Sequence, residues 1–205
     1  MTEKQRLTHL LHHVVACPDL HRRWLNTLSC MENCGARKIA RCEHPIFVKR
    51  EMLKHAAEEF RHALHLKQQI GKIGNMFEDY TPPNILGGYL AIRYLDKLDV
   101  AICRMLMKEY GLHSWQLKQV AYLLVTYAIE VRASRLYPCY QYILSANASP
   151  VSVRFIIAEE EHHLEEIEAQ LVDVCDSETL KLMVCALEQG LFRAFLQALE
   201  QAVEL

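Results

Sequence analysis

The sequence predicts an all-α protein organised as a four-helix bundle with additional helices. Glycine and proline are scarce, at 7 and 6 residues, aromatics make up 8%, and Leu, Ala, Glu, Lys and Arg recur throughout. That composition favours helices over strands and turns. A chain of 205 residues, 51% of them hydrophobic, suits a single domain over 1–205 with a sizeable core. The few breaking residues divide it into helical runs arranged as a pair, a long connection, and a second pair.

A short helix is expected at about residues 4–16. Pro18 at a first helical position, followed by Asp19, opens the first bundle helix, 18–43, which His44-Pro45 interrupts. Pro45 is expected to open the second, 45–70, and Gly71 and Gly74 to stop it. The linker 75–84, with Pro82-Pro83, leads to a crossover helix over 85–110 that ends at Gly111. Ser114 is a natural N-cap for the third bundle helix, 114–146, with a kink expected at Pro138. Ser149-Pro150 is expected to start the fourth, 150–174, and Asp176 to cap a final amphipathic helix to Leu205.

Charge and cysteine usage narrow the functional classes. Twenty-three Lys and Arg against 25 Asp and Glu give a net charge of -2, so no global field recruits nucleic acid or an anionic membrane. No uninterrupted apolar run approaches the ~18 residues of a membrane span, and the first residues, Met1-Thr-Glu-Lys-Gln-Arg, lack a signal peptide's apolar core. A cytoplasmic location is expected. The eight cysteines, at 17, 30, 34, 42, 103, 139, 175 and 185, form no C-x-x-C pair. They are expected to be reduced and to act as small buried hydrophobes. Cys30 and Cys34 share a helix face but lack further ligands, which makes a weak metal signal.

Acids and histidines at helical spacing carry the chemistry. The four bundle helices contain, in order, Glu32, Glu59-Phe-Arg-His62, Glu130 and Glu160-Glu-His-His163. Residues i and i+3 share a helix face, so each E-x-x-H can aim a carboxylate and an imidazole at one point. Glu32 and Glu59 are 27 residues apart and Glu130 and Glu160 are 30 apart, as in two copies of one helical hairpin. Leu25, Leu28, Gly35, Ala36 and Ile39 flank Glu32, while Leu123, Thr126, Tyr127, Ala133, Ser134 and Tyr137 flank Glu130. Both acids therefore lie on faces suited to a core, where four unneutralised carboxylates would repel strongly. A dinuclear cation centre removes that difficulty. The small residues three and four positions after each acid leave room beside it for O2 or substrate. The first hairpin matches in height about its turn; the longer spacing from Glu130 to the second turn is attributed to Pro138 or a helical bulge.

On Glu32, Glu59, His62, Glu130, Glu160 and His163, over residues 18–174, the sequence resembles the ferritin-like di-iron carboxylate superfamily. Its members draw one Glu from each of two helices and E-x-x-H from each of the other two. The resemblance implies these six residues as metal ligands, two Fe ions as cofactor, with Mn or mixed Mn/Fe as variants, and O2-dependent oxidoreductase chemistry of the oxygenase or hydroxylase (monooxygenase) type. It implies O2, an unidentified substrate and an external electron donor as partners, and it allows a homodimer. The alternatives are a ferroxidase or iron-handling protein, which His163 argues against because storage ferritins generally lack the second histidine, a rubrerythrin-like peroxidase, and a non-catalytic helical module.

Other polar residues receive simpler readings. His9, His12 and His13 are taken as an exposed face rather than a surface metal clip, and Glu159, Glu161, Glu165, Glu166 and Glu168 as solvated charges. In the overlapping pair Glu159/His162 and Glu160/His163, the second faces the core, since Ile156, Ile167 and Leu171 continue its face. His55, one turn before Glu59, is an extra ligand or hydrogen-bonding neighbour at best, because Ile156 is its counterpart in the second hairpin. Tyr127 and Tyr137 are expected in the core or as hydrogen-bond donors beside the acids.

Overall fold

The computed structural model describes residues 1–77 and 79–204. Among these residues it is all-α, with eight α-helices: α1 Glu3–Ala16, α2 Pro18–Cys42, α3 Arg50–Ile70, α4 Gly88–Ile92, α5 Tyr94–Tyr110, α6 Ser114–Ala146, α7 Arg154–Leu171 and α8 Ser177–Ala202. A single 3₁₀ turn, Pro82–Asn84, precedes α4. Glu78, part of the expected linker, and Leu205, the expected end of the last helix, lie outside the described residues.

Helices α2 and α3 pack along one another, as do α6 and α7, and contacts of α2 with α6 and of α3 with α7 close a ring of four. The core is two apolar clusters. On each of the four helices the acids and histidines fall between them in sequence. On α3, Met52 and Ala56 belong to one cluster, Leu66 and Ile70 to the other, and Glu59 and His62 lie between. On α6, Leu124 and Ala128 precede Glu130, and Leu136 and Tyr140 follow it in the opposite cluster. A polar layer is thus clamped between two apolar ones, whose burial at about 25 cal/mol per Å² drives the four helices together.

Around the ring, α1 lies against α2, α6 and α8, and Arg6 pairs with Glu200 at 2.5 Å to tie the two terminal helices. Thr2 and Gln5 form a reciprocal capping box that starts α1. The connection from α3 to α5 is pinned to α2: Asn26 Nδ2 donates to the carbonyls of Asp79 and Asn84, and Thr27 Oγ1 accepts from Leu86 N. Gly87 adopts φ +74°, and a Cβ there would come within 2.7 Å of Phe195, so this close approach of the connection to α8 requires glycine.

Several boundaries differ from expectation. Pro45 does not open α3; the His44 ring accepts hydrogen bonds from the amides of Ile46 and Phe47 and packs against Trp115, which holds 44–47 in a turn and delays the helix to Arg50. Pro150 does not open α7 either. Gln69 and Gln141 side chains accept from the amides of Ser152 and Val153, while Val151 and Val153 are buried, so the segment runs irregularly until Arg154. That segment, rather than a bulge, absorbs the offset in the second hairpin: Glu130 lies 16 residues before the end of α6, and Glu160 only 6 after the start of α7. The difference of roughly 15 Å of helix is within reach of seven irregular residues at up to roughly 3.3 Å each. Ser114 has φ +50° and is the first residue of α6, with His113 at the cap position, and the crossover helix breaks at Arg93 into α4 and α5.

One helix, Ser177–Ala202, is long and apolar enough to cross a membrane by length and composition, but only weakly so. Its inner face packs on α5 and α6 and carries the charged Glu188. All eight cysteines are free, and only Cys30 is buried; Cys175 is exposed and the rest are half-buried, because most sit at the flanks of the packed faces.

Candidate metal centre

The six residues singled out from the sequence converge between the four helices. Glu59, His62, Glu130, Glu160 and His163 are at most 6% exposed. Glu32 keeps some exposure, and it lines the adjoining cavity. His55 joins them at 4% exposed, with Nε2 3.3 Å from Glu59 Oε1 and 3.2 Å from Glu130 Oε1. The donor atoms form two groups, each within 4.8 Å: Glu32, Glu59, His62 and Glu160, and His55, Glu59, Glu130 and His163. Glu59 belongs to both.

The histidines face inward with one nitrogen and outward with the other. His62 Nδ1 is 3.0 Å from Glu160 Oε1, and His163 Nδ1 is 3.4 Å from Glu59 Oε1. On the far side, His62 Nε2 donates to Glu159 Oε2 and His163 Nε2 donates to Glu58 Oε2, both at 2.9 Å. Each imidazole is thus held by the acid that precedes the other helix's E-x-x-H, and Arg61 fixes Glu159 at 2.5 Å. Such outer carboxylates set the tautomer and orientation of a metal-binding imidazole. Glu159, expected to be solvated, is a positioning residue, since its helix packs on α3. Glu58 was missed for the same reason: a partner across two helices leaves no mark on its own face. His162 is exposed and pairs with Glu166 at 2.9 Å, while His9, His12 and His13 lie on an open surface.

Electrostatics mark the cluster as short of positive charge. Among the described residues, no Lys or Arg pairs with Glu32, Glu59, Glu130 or Glu160. Burial raises Glu59 and Glu130 well above the usual carboxylate range, reinforced by repulsion from Glu160. Burial also raises Glu32. Burial opposes ionisation of Glu160 too, yet the adjoining Glu130 carboxyl and His62 imidazole hold its carboxyl low. His62 is pushed up to about 9: burial lowers it, but the surrounding Glu160, Glu32 and Glu159 outweigh that. Burial, with His163 close by, lowers His55 to about 3. Five buried atoms in the cluster have no hydrogen-bond partner: His55 Nε2, His62 Nδ1, His163 Nδ1, Glu130 Oε2 and Glu160 Oε1. Orphaned buried polar atoms are costly, at about 1–3 kcal/mol each, and here they converge from three helices, α3, α6 and α7. This oxygen and imidazole set is able to hold a metal ion.

A cavity of about 90 Å³ adjoins the acids. Leu28, Met31, Ile39, Val125, Ile129 and Leu136 line it, with Gly35 and Ala133 supplying the open space expected three residues after Glu32 and Glu130. Tyr137, buried on α6, donates a hydrogen bond to Glu32, whereas Tyr127 lies away from the cluster under Lys181. Comparison with protein-family models, with curated proteins and with solved structures finds no match to this chain.

Proposed function

We propose that this chain is a ferritin-like dinuclear metal protein, most simply di-iron, acting as an O2-dependent oxidoreductase of the oxygenase or hydroxylase type. The observation that carries the reading is the pair of four-residue groups sharing Glu59, set against an apolar cavity. Glu32, His62 and Glu160 would hold one ion, Glu130 and His163 the other, with Glu59 between them. Held by these residues, a ferrous pair would supply redox chemistry towards O2. Mixed carboxylate and imidazole ligation suits iron or manganese.

The chain's own residues supply the rest. Glu159 and Glu58 hold the two imidazoles with Nε2 protonated, which leaves Nδ1 turned to the centre. Tyr137 supplies a proton donor at Glu32, on the cavity side. Leu28, Met31, Val125 and Leu136 exclude water from the reacting space and favour a slim apolar substrate over a polar one. Binding of cations replaces the protons carried by His62 and the raised carboxyls, so loading should release protons. A separate donor would supply the electrons for turnover.

Anaerobic loading with Fe(II) followed by O2 separates this reading from its rivals. The oxidoreductase reading expects two irons per chain, O2 consumed, and no further iron uptake on repeated cycles. Accumulation of many irons per chain would replace it with iron storage. A chain that takes up no metal would be a helical module without this chemistry.

A further inference from the structure

Resting on the dinuclear reading, we propose that His55 is a seventh ligand and makes the two metal positions chemically unlike. One position has two imidazoles and two carboxylates, from His55, His163, Glu130 and Glu59; the other has one imidazole and three carboxylates, from His62, Glu32, Glu160 and Glu59.

The geometry of His55 fits a ligand better than a packed core histidine. His21 is the internal reference: equally buried, its Nε2 meets the Tyr140 hydroxyl at 2.6 Å. His55 Nε2 has no hydrogen-bond partner and points into the carboxylates of Glu59 and Glu130. Its ring lies 4.2 Å from that of His163, so both imidazoles converge on the same position. The second hairpin offers nothing equivalent. Ile156, four residues before Glu160 as His55 is before Glu59, is buried in the apolar cluster.

The asymmetry has a chemical consequence. Imidazole nitrogen favours ions later in the first-row affinity order, whereas an oxygen-rich position favours harder ions such as Mn²⁺. The nitrogen-rich position should fill first with Co(II) or Zn(II) and leave the oxygen-rich one open to Mn(II). The centre is therefore built for sequential loading and can hold two different metals.

Anaerobic Co(II) titration of the metal-free protein tests this, followed by calorimetry and by proton NMR of the paramagnetically shifted imidazole resonances. Wild type is expected to bind two Co(II) in resolved steps, with shifted signals from His55, His62 and His163. His55→Ile, copying the second hairpin, and His55→Gln, which keeps a polar group, should both retain two ions while the first step weakens at least about tenfold and one imidazole signal disappears. Unchanged affinities and an unchanged set of shifted signals in the folded variants would overturn the assignment of His55 while leaving the dinuclear reading intact. Wild type that binds no Co(II) would overturn both.

Discussion

Glu130 and Arg132 stand two residues apart on α6, and each belongs to a buried acidic cluster; the two clusters are neutralised in opposite ways. Around Arg132 the charges are matched. Its guanidinium grips Glu188 with two hydrogen bonds of 2.8 Å, reaches Glu3 at 3.0 Å and lies 3.6 Å over the Phe192 ring, while Tyr94 donates to Glu188. Around Glu130, four carboxylates meet three imidazoles and several inward atoms stay unpaired. A buried acid with its own fixed arginine is part of the scaffold. Acids gathered without one, together with imidazoles, form a set that could hold a metal ion.

The largest effect that tests this contrast is at Glu59. Because it belongs to both groups, Glu59→Ala should abolish tight binding of both metals, and Glu32→Ala or Glu130→Ala should abolish the dinuclear state. Metal content by mass spectrometry after equimolar loading gives the answer, and two tightly held ions in any of these variants would break the model. The other cluster should respond in stability rather than in metal content. Arg132→Met leaves Glu188 buried without its partner and should cost about 3–5 kcal/mol in urea unfolding, while two metals still bind. Adding Glu188→Leu should recover much of that loss.

Smaller effects sharpen the account. Glu159→Gln or Glu58→Gln should weaken metal affinity about 10–100-fold without unfolding the protein, whereas His162→Ala should leave it nearly unchanged. A strong effect at His162 would mean that α7 is rotated by one residue. The last prediction concerns pH. In metal-free protein His62 titrates near 9 and Glu59 and Glu130 are raised, so their stabilising contribution is complete at low pH and is lost as pH rises through the raised values. The metal-free protein should therefore become more stable as pH falls from about 9 to about 6.5. Below that range His55 and His21, lowered to about 3 and about 4, oppose the trend, since the unfolded chain protonates them first. Because metal competes with protons for the ligands, the gap in melting temperature between loaded and metal-free protein should widen with pH. A gap that narrows would count against these ligands.

The all-α class, the helix order and the convergence of Glu32, Glu59, His62, Glu130, Glu160 and His163 were all legible in the sequence. Helical spacing fixes which residues share a face, and apolar neighbours identify the buried one. Helix starts were less legible. Pro45 and Pro150 are good first-turn residues, but ring packing by His44 and side-chain capture by Gln69 and Gln141 decide where the helices begin. The role of Glu159 was hidden for a related reason, since a polar face reads as solvated until the helix across from it supplies a histidine. His55 is visible at i−4 from Glu59, but the comparison with Ile156 argues against it, since Glu59, His62, Leu66 and Ile70 otherwise superpose on Glu160, His163, Ile167 and Leu171.

Anomalous diffraction at the metal edge, from crystals loaded with Fe(II) or Mn(II), tests the central claim most directly. The account predicts two peaks about 3.5–4 Å apart on either side of the Glu59 carboxylate, one beside His62 and the other beside His163. No peak between the four helices, or peaks only at the exposed His9, His12 and His13, would contradict it.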